Sequence, residues 1–471
     1  MLKEIDEGTG DDLMGNVLIE RDTMVDIADS IRGKTGGVEL MKPDEMPGAI
    51  DSIPGKSVAD REKAIRFFSY DGELLYSFTL EELDELEDLP PVPEVQGLVS
   101  QGWNWTLGDL KFNGDMVDVG PMYITDDGAT RIYIKLEGSR LSPVLGFMQS
   151  AENGVAVNWG DGSPTERSQV SGNTRVNLGH TYPAAGSYVI SLLPDEGTTI
   201  TIGGKSYTGG QYASDLLYMS TDNVAEHRIY SDAVRKIEMG RNVDFRSYAF
   251  AGLMRMISIT TPEWGSMADY AFVGCTSLRM YTMPKGFIMM NGNAFSSCTS
   301  LRQIAIPSSM VMLQSEAFDG CASLERMSHI RWNQCPMSTF AGCRSLTSVH
   351  LVNKLGIPAD EFSGAGALRE VTFENTENMM SIGKNAFLNC SSLETIVIPA
   401  EVGRIYMAAF KNTGLKSVYV CPETPPYLDD ATVFENTPSD MVIYVPHGCL
   451  AAYSAASYWS TYADRMVEMP E

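Results

Sequence analysis

The chain has 471 residues, 44% of them hydrophobic, and 35 Lys and Arg against 61 Asp and Glu give it a net charge of −26. That length accommodates about three or four domains. The acidity argues against nucleic-acid binding through a basic face, because phosphate repels it, and keeps an extended surface in solution.

The amino terminus begins Met1-Leu2-Lys3-Glu4-Ile5-Asp6-Glu7 and lacks the apolar core of a signal peptide. Nowhere does an apolar run reach the roughly 18 residues that would span a bilayer. These features predict a soluble protein, without membrane insertion and not exported by an ordinary secretory signal.

Residues 23–53 read as two short helices around a turn. Met24, Ile27, Ala28 and Ile31 recur at helical spacing behind Thr23 as a cap, and Met46, Ala49, Ile50 and Ile53 form the second apolar face. Gly33-Lys34-Thr35 echoes part of a phosphate loop, but position 28 is Ala where that loop needs Gly, and the phrase follows a helix instead of a strand.

Residues 61–135 predict a β-rich connector. Two strands flank Asp71-Gly72, a hairpin signal. Glu81 to Asp88 forms an acidic helical turn, and Pro90-Pro91-Val92-Pro93 a stiff link. Gly102-Trp103-Asn104-Trp105 precedes a strand, Met122 to Thr125, that runs into Asp126-Asp127-Gly128. Two aspartates in a tight turn supply too few oxygens for calcium, so turn chemistry is the reading.

Residues 136–205 predict a small immunoglobulin-like β-sandwich. The strand Val155 to Asn158 ends in Trp159-Gly160-Asp161-Gly162, and His180-Thr181-Tyr182 and Gly186 to Ile190 supply partners. The glycine-rich tract Gly203 to Gly210 is expected to end that domain.

Between residues 249 and 416 a phrase recurs about every 23 residues, clearest in Ala271-Phe272-Val273-Gly274-Cys275-Thr276-Ser277-Leu278. Its Phe stands at 250, 272, 295, 318, 340, 362, 387 and 410, with gaps of 22 to 25 residues. Such a period marks a solenoid, whose units bury their apolar faces only against neighbours. Short alternating runs ending in Pro, as in Leu301 to Pro307, predict one strand per coil. Cys275, Cys298, Cys321, Cys343 and Cys390 fall three residues after the Phe; without any CxxC pair they read as a ladder of small buried groups. Residues 441–471 read as a capping strand and a short amphipathic helix over the last coil.

These repeats, with Ile443-Tyr444-Val445-Pro446 and Trp459 to Asp464 behind them, resemble leucine-rich repeats of the BspA type, found in bacterial surface proteins and in phage or prophage tail proteins. Trp-Gly-Asp-Gly with His-Thr-Tyr resembles the PKD-type immunoglobulin-like domain. That resemblance implies core roles for Trp159 and Tyr182, a turn role for Asp161, and nothing catalytic. Ile27 to Gly36 with Lys42 to Met46 resembles a small joint in structural proteins of phages infecting Gram-positive gut bacteria, and residues 62–135 resemble the region before the repeats in phage tail proteins.

No HExxH, GxSxG or metal-spaced pair contains any of the five His. The fold class expected is multidomain and mainly β: a helical attachment module (1–60), a β-rich connector (61–135), a PKD-like sandwich (136–205), a leucine-rich-repeat solenoid (206–440) and a cap (441–471). The function these resemblances imply is a non-enzymatic bacteriophage virion protein of the tail fibre or baseplate, assembled in the host cytoplasm and needing no cofactor or metal. Its amino-terminal part would meet other virion proteins and its solenoid a host cell-surface glycan or protein receptor, as a homo-oligomer such as a trimer. A head fibre or capsid decoration protein and a bacterial surface adhesin are the alternatives. Arg331, Trp332, Asn333 and Lys354 are the residues expected at the host-binding surface, and Phe272, Phe295, Phe318 and Phe387 anchor the coils.

Overall fold

The computed structural model describes residues 65–113, 117–150, 154–168, 170, 173–207, 211–220, 223–263, 266–331, 338–352, 355–374 and 376–470. The helical module expected over 1–60 lies outside them. Among the described residues the protein is mainly β with short helices, and its repeats wind into a solenoid of about nine turns.

The recurring Phe explains the coil. Two residues before it the backbone is left-handed, at Tyr248, Tyr270, Asn293, Glu316, Ser338, Asp360, Asn385 and Ala408. Two residues after it the backbone is left-handed again, at Gly252, Gly274, Gly320, Gly342 and Gly364, with Ser297, Asn389, Asn412 and Asn436 in the remaining coils. Gly and Asn tolerate that conformation best, which accounts for their place in the phrase. The two bends turn each Phe inward, where the rings stack face to face. Centroids of Phe318, Phe340 and Phe362 are 5.8 and 5.7 Å apart, at 3° and 2° between planes. A ninth ring, Phe434, stacks 5.3 Å from Phe410 and extends the eight copies legible in the sequence.

Each coil contributes strands to parallel ladders. In one row Met280–Thr282 pairs with Gln303–Ala305, Arg326–Arg331 with Ser348–Val352 and then Glu370–Glu374, and Thr395–Ile398 with Ser417–Val420 and Val442–Val445. A second row of two-residue strands includes Ser381–Ile382, Arg404–Ile405 and Tyr427–Leu428. At the carboxyl end the cap buries Tyr453 and Trp459 and adds Met466–Glu468 beside Val442–Val445, one strand more than expected. Trp459 Nε1 donates to Pro426 O at 2.7 Å and Tyr462 Oη to Ala431 O at 3.0 Å, so two carbonyls of the final coil are satisfied by the cap.

The other end of the solenoid is closed by two sheets. One runs through Thr130–Leu136, Gly186–Pro194 and Val155–Asn158, the other through Thr174–Gly179, Val144–Gln149 and Ile200–Ile202. Both continue into the repeats. Val234–Glu238 pairs antiparallel with Thr130–Leu136 and parallel with Ser258–Thr260, and Ile200–Ile202 pairs parallel with Val243–Phe245. Trp159, Ile132 and Phe147 share one apolar core with Phe250 and Phe272. No break in packing falls at residue 205, and Gly204–Tyr207 is a strand paired with Gln211–Ser214. The sheets therefore work as the first coil's cap.

Residues 65–125 form a block with its own small core of Ile65, Phe67, Leu83, Trp103, Trp105 and Leu110. Ile65–Phe68 and Leu74–Phe78 make the expected hairpin around Gly72, joined in parallel by Val117–Val119. Thr79 and Glu82 cap the helix Leu80–Glu85 reciprocally. Asp126 and Asp127 both pair with Arg131 at 2.9 Å, and Ala129 N donates to Asp127 Oδ1, so the turn's carboxylates are engaged within the protein.

The block does not precede the solenoid along its axis; it lies against the side of it. Asn104 Nδ2 donates to Met283 O and Ala305 O at 3.1 and 3.0 Å, and Trp105 Nε1 to Ile306 O at 2.7 Å. Phe68 packs on Met280 and Ala305. These contacts cover the outer side of the first row of strands across the early coils.

Candidate binding surface

The buried polar groups of the coils are structural in their chemistry. Each ladder thiol donates to the Phe carbonyl of the preceding coil: Cys275 to Phe250 at 3.1 Å, Cys298 to Phe272 at 3.1 Å and Cys343 to Phe318 at 3.3 Å. Burial pushes the Cys298, Cys321, Cys343 and Cys390 thiols well up from their ordinary value, which suppresses the thiolate that a nucleophile or metal ligand needs. Among the described residues no three His, Cys, Asp or Glu converge as metal ligands. No helix there is long and apolar enough to cross a membrane.

The histidines follow the same pattern. His180 stacks on the buried Trp159 at 4.6 Å, and its Nε2 lies 2.8 Å from Asp161 Oδ2. Hydrogen bonds from Ser163 and then His180 hold the Asp161 carboxyl down at about 2. Tyr182, also buried, donates to Trp159 O at 3.1 Å. His227 pairs with Asp215 at 2.9 Å but is fully buried, closed to any substrate. His350 bonds Thr372 Oγ1 at 2.8 Å on the outer side of the first strand row.

Of the expected host-binding residues, Arg331 ends a strand and pairs in register with Val352. Trp332, Asn333 and Lys354 lie outside the described residues. Phe272, Phe295, Phe318 and Phe387 are all fully buried in the ring stack.

What the sequence reading missed is on the second strand row. Ile288 and Val311 stand at equivalent positions of adjacent coils, as do Leu355 and Met380, and all four are exposed. Met380 is 68% exposed and Tyr427 54%. Next to Met380 the row ends in four outward side chains. Arg404 lies opposite Tyr427 in register, with Tyr406 and Asp429 immediately after these two-residue strands. The Arg404 guanidinium is 4.4 Å from the Tyr406 ring centre and 5.0 Å from that of Tyr427, and donates to Asp429 Oδ1 at 2.6 Å. The available signal was the coil register, which places Leu355 and Met380 two residues ahead of the buried Ile357 and Ile382, and Arg404 and Tyr427 one residue ahead of the buried Ile405 and Leu428.

Residues 243–355 and 333–439 match the BspA type leucine rich repeat region, in six copies. A leucine-rich repeat protein from Bacteroides ovatus is 16% identical, with 59% of this chain and 97% of that one covered and a TM-score of 0.27. A leucine rich cell surface protein from Faecalibacterium prausnitzii is 15% identical over 55% and 93% of the two chains, at a TM-score of 0.25. The T. pallidum leucine-rich repeat protein is 22% identical over 39% and 78%, at 0.24. No curated protein matches the sequence.

Proposed function

We propose that this chain, a carrier of BspA-type leucine-rich repeats, is a recognition protein that binds a cell surface non-covalently through its coils and carries out no catalysis. The observation behind this reading is the exposed set Ile288, Val311, Leu355, Met380 and Tyr427 along the second strand row. Exposed apolar and aromatic residues on one side of several coils do nothing for the folded core, and such patches mark interaction sites. Weak contacts repeated along a solenoid gain strength when several copies act together.

The setting we favour is a phage virion, in which residues 1–60 join other virion proteins and the repeats face the host. It rests on the wording of Ile27 to Gly36 and Lys42 to Met46, and the PKD-like reading of residues 136–205 belongs to the same picture. A cell-surface adhesin is the second reading, favoured by the BspA-type repeats themselves. Labelled full-length protein applied to gut bacteria tests the shared claim: saturable binding supports it, and none overturns it. An antibody to the chain then divides the settings. Labelled virions support the first, with label on tail or capsid separating fibre from head decoration; labelled walls of phage-free bacteria overturn it.

A further inference from the structure

The four outward residues Arg404, Tyr406, Tyr427 and Asp429 are not accounted for by folding. An ion pair as exposed as Arg404–Asp429, with 46% and 18% of the side chains accessible, adds little to stability. Tyr427 presents more than half its surface to solvent, yet the Arg404 guanidinium fixes both tyrosine rings by lying against them. The result is a preorganised cluster: two tyrosine rings, each with one face against the guanidinium, and a carboxylate acceptor bonded to that guanidinium. The neighbouring coil offers Ser381 opposite Arg404 and the side-chain-free Gly383 beside Tyr406, so no bulky group covers the cluster on that side. Met380 stands at its edge, 68% exposed.

We propose that this quartet is a binding subsite for an uncharged sugar residue of a cell-surface glycan, a proposal that rests on the recognition function above and names its ligand class. A sugar ring has an apolar C–H face, which an exposed tyrosine ring accepts, and an edge of neighbouring hydroxyls, which can both donate and accept. Asp429 supplies acceptor oxygens and Arg404 a planar fork of donors. Tyr and Arg are the residue types that concentrate binding energy at interfaces. Charge selects the neutral class: the Arg404 and Asp429 charges cancel within the site, and 61 acidic against 35 basic residues repel a polyanionic chain. A protein partner would need an interface of about 1,000 Å² or more, far beyond four side chains.

The test uses the full-length protein, bacteria that it binds, and the neutral and anionic polysaccharides isolated from their walls. Retention on the neutral fraction, insensitive to salt, is expected. Tyr427→Ala and Tyr406→Ala should each weaken it about tenfold or more without a change in melting temperature. Tyr427→Phe, which keeps the ring, should bind as the parent, and Arg404→Lys, which loses the fork, should not. Retention on the anionic fraction alone, loss of cell binding after protease treatment of the cells, or full binding by Tyr427→Ala would each overturn the proposal while leaving surface recognition intact. Absence of cell binding by the parent protein would overturn both.

Discussion

Arg326 and Asp118 meet across 208 residues of sequence, the guanidinium Nε donating to Oδ1 at 3.1 Å. The same carboxylate accepts from Arg66 Nε and Nη2 at 2.9 and 2.8 Å. Asp118 is 6% exposed, and it joins the hairpin of the amino-terminal block to a coil of the solenoid. Replacing it with Ala leaves two largely buried guanidinium groups without their shared anion. Loss of one partner of a buried pair costs about 3–5 kcal/mol, and the part that yields first is the docked block. Hydrogen exchange should show residues 65–125 losing protection in Asp118→Ala while the Phe-bearing coils keep theirs.

A second variant tests the same docking by shape alone. A β-carbon at Gly120 would lie 2.0 Å from Thr282 Oγ1 and 2.8 Å from Thr282 Cβ, so no rotation of the threonine relieves the clash. Gly120→Ala should undock the block as Asp118→Ala does, and Gly120→Ala with Thr282→Gly should restore protection. A lone Gly120→Ala with unchanged exchange would show that the block does not sit this closely.

Interrupting the ring stack should be costly. Phe318 touches a ring on each side, at 5.8 Å to both Phe295 and Phe340. Phe318→Ala should lose about 3–5 kcal/mol by cavity formation. Because coils contact only their neighbours, denaturant unfolding should become two-phased. A single sharp transition of unchanged midpoint would contradict the stacked-coil account.

Alkaline pH should destabilise the protein steeply. Burial raises the folded pKa of Cys298, Cys321, Cys343 and Cys390 above the ordinary 9.0. The folded chain holds these protons while the unfolded chain releases them. Their contribution is therefore complete below about pH 9 and falls as pH rises beyond it, by about 1.4 kcal/mol per pH unit for each thiol. Melting temperature followed from pH 8 to 11 should drop, with a shallower slope when all four are Ala. In the native state iodoacetamide should label the partly accessible Cys421 and Cys449 ahead of the ladder.

At the carboxyl end, Trp459→Phe keeps the ring over Phe434 but leaves Pro426 O without its donor. The loss should be about 1–3 kcal/mol. Trp459→Ala should cost more and open the last coil, seen as concentration-dependent association by light scattering.

Much of the array was legible before any coordinates. The Phe period, the buried cysteine column and the closing segment follow from local wording, because each coil repeats the same two backbone bends and the same inward ring. Phe434 escaped notice because Val433 and Asn436 replace the usual Ala and Gly, and Thr437 stands where Cys would be; only the 24-residue step from Phe410 pointed to it.

What the sequence determined by itself is the coil: its period and its inward column of Phe rings. Tertiary structure decided how the other parts meet it. Asn104 and Trp105 reach backbone carbonyls of Met283, Ala305 and Ile306, acceptors that every residue carries and no motif advertises. The two amino-terminal sheets splice into the solenoid through strand pairing, which depends on backbone groups and register instead of residue identity. Likewise Arg404, Tyr406, Tyr427 and Asp429 are two pairs 23 residues apart, brought together only because successive coils lie side by side.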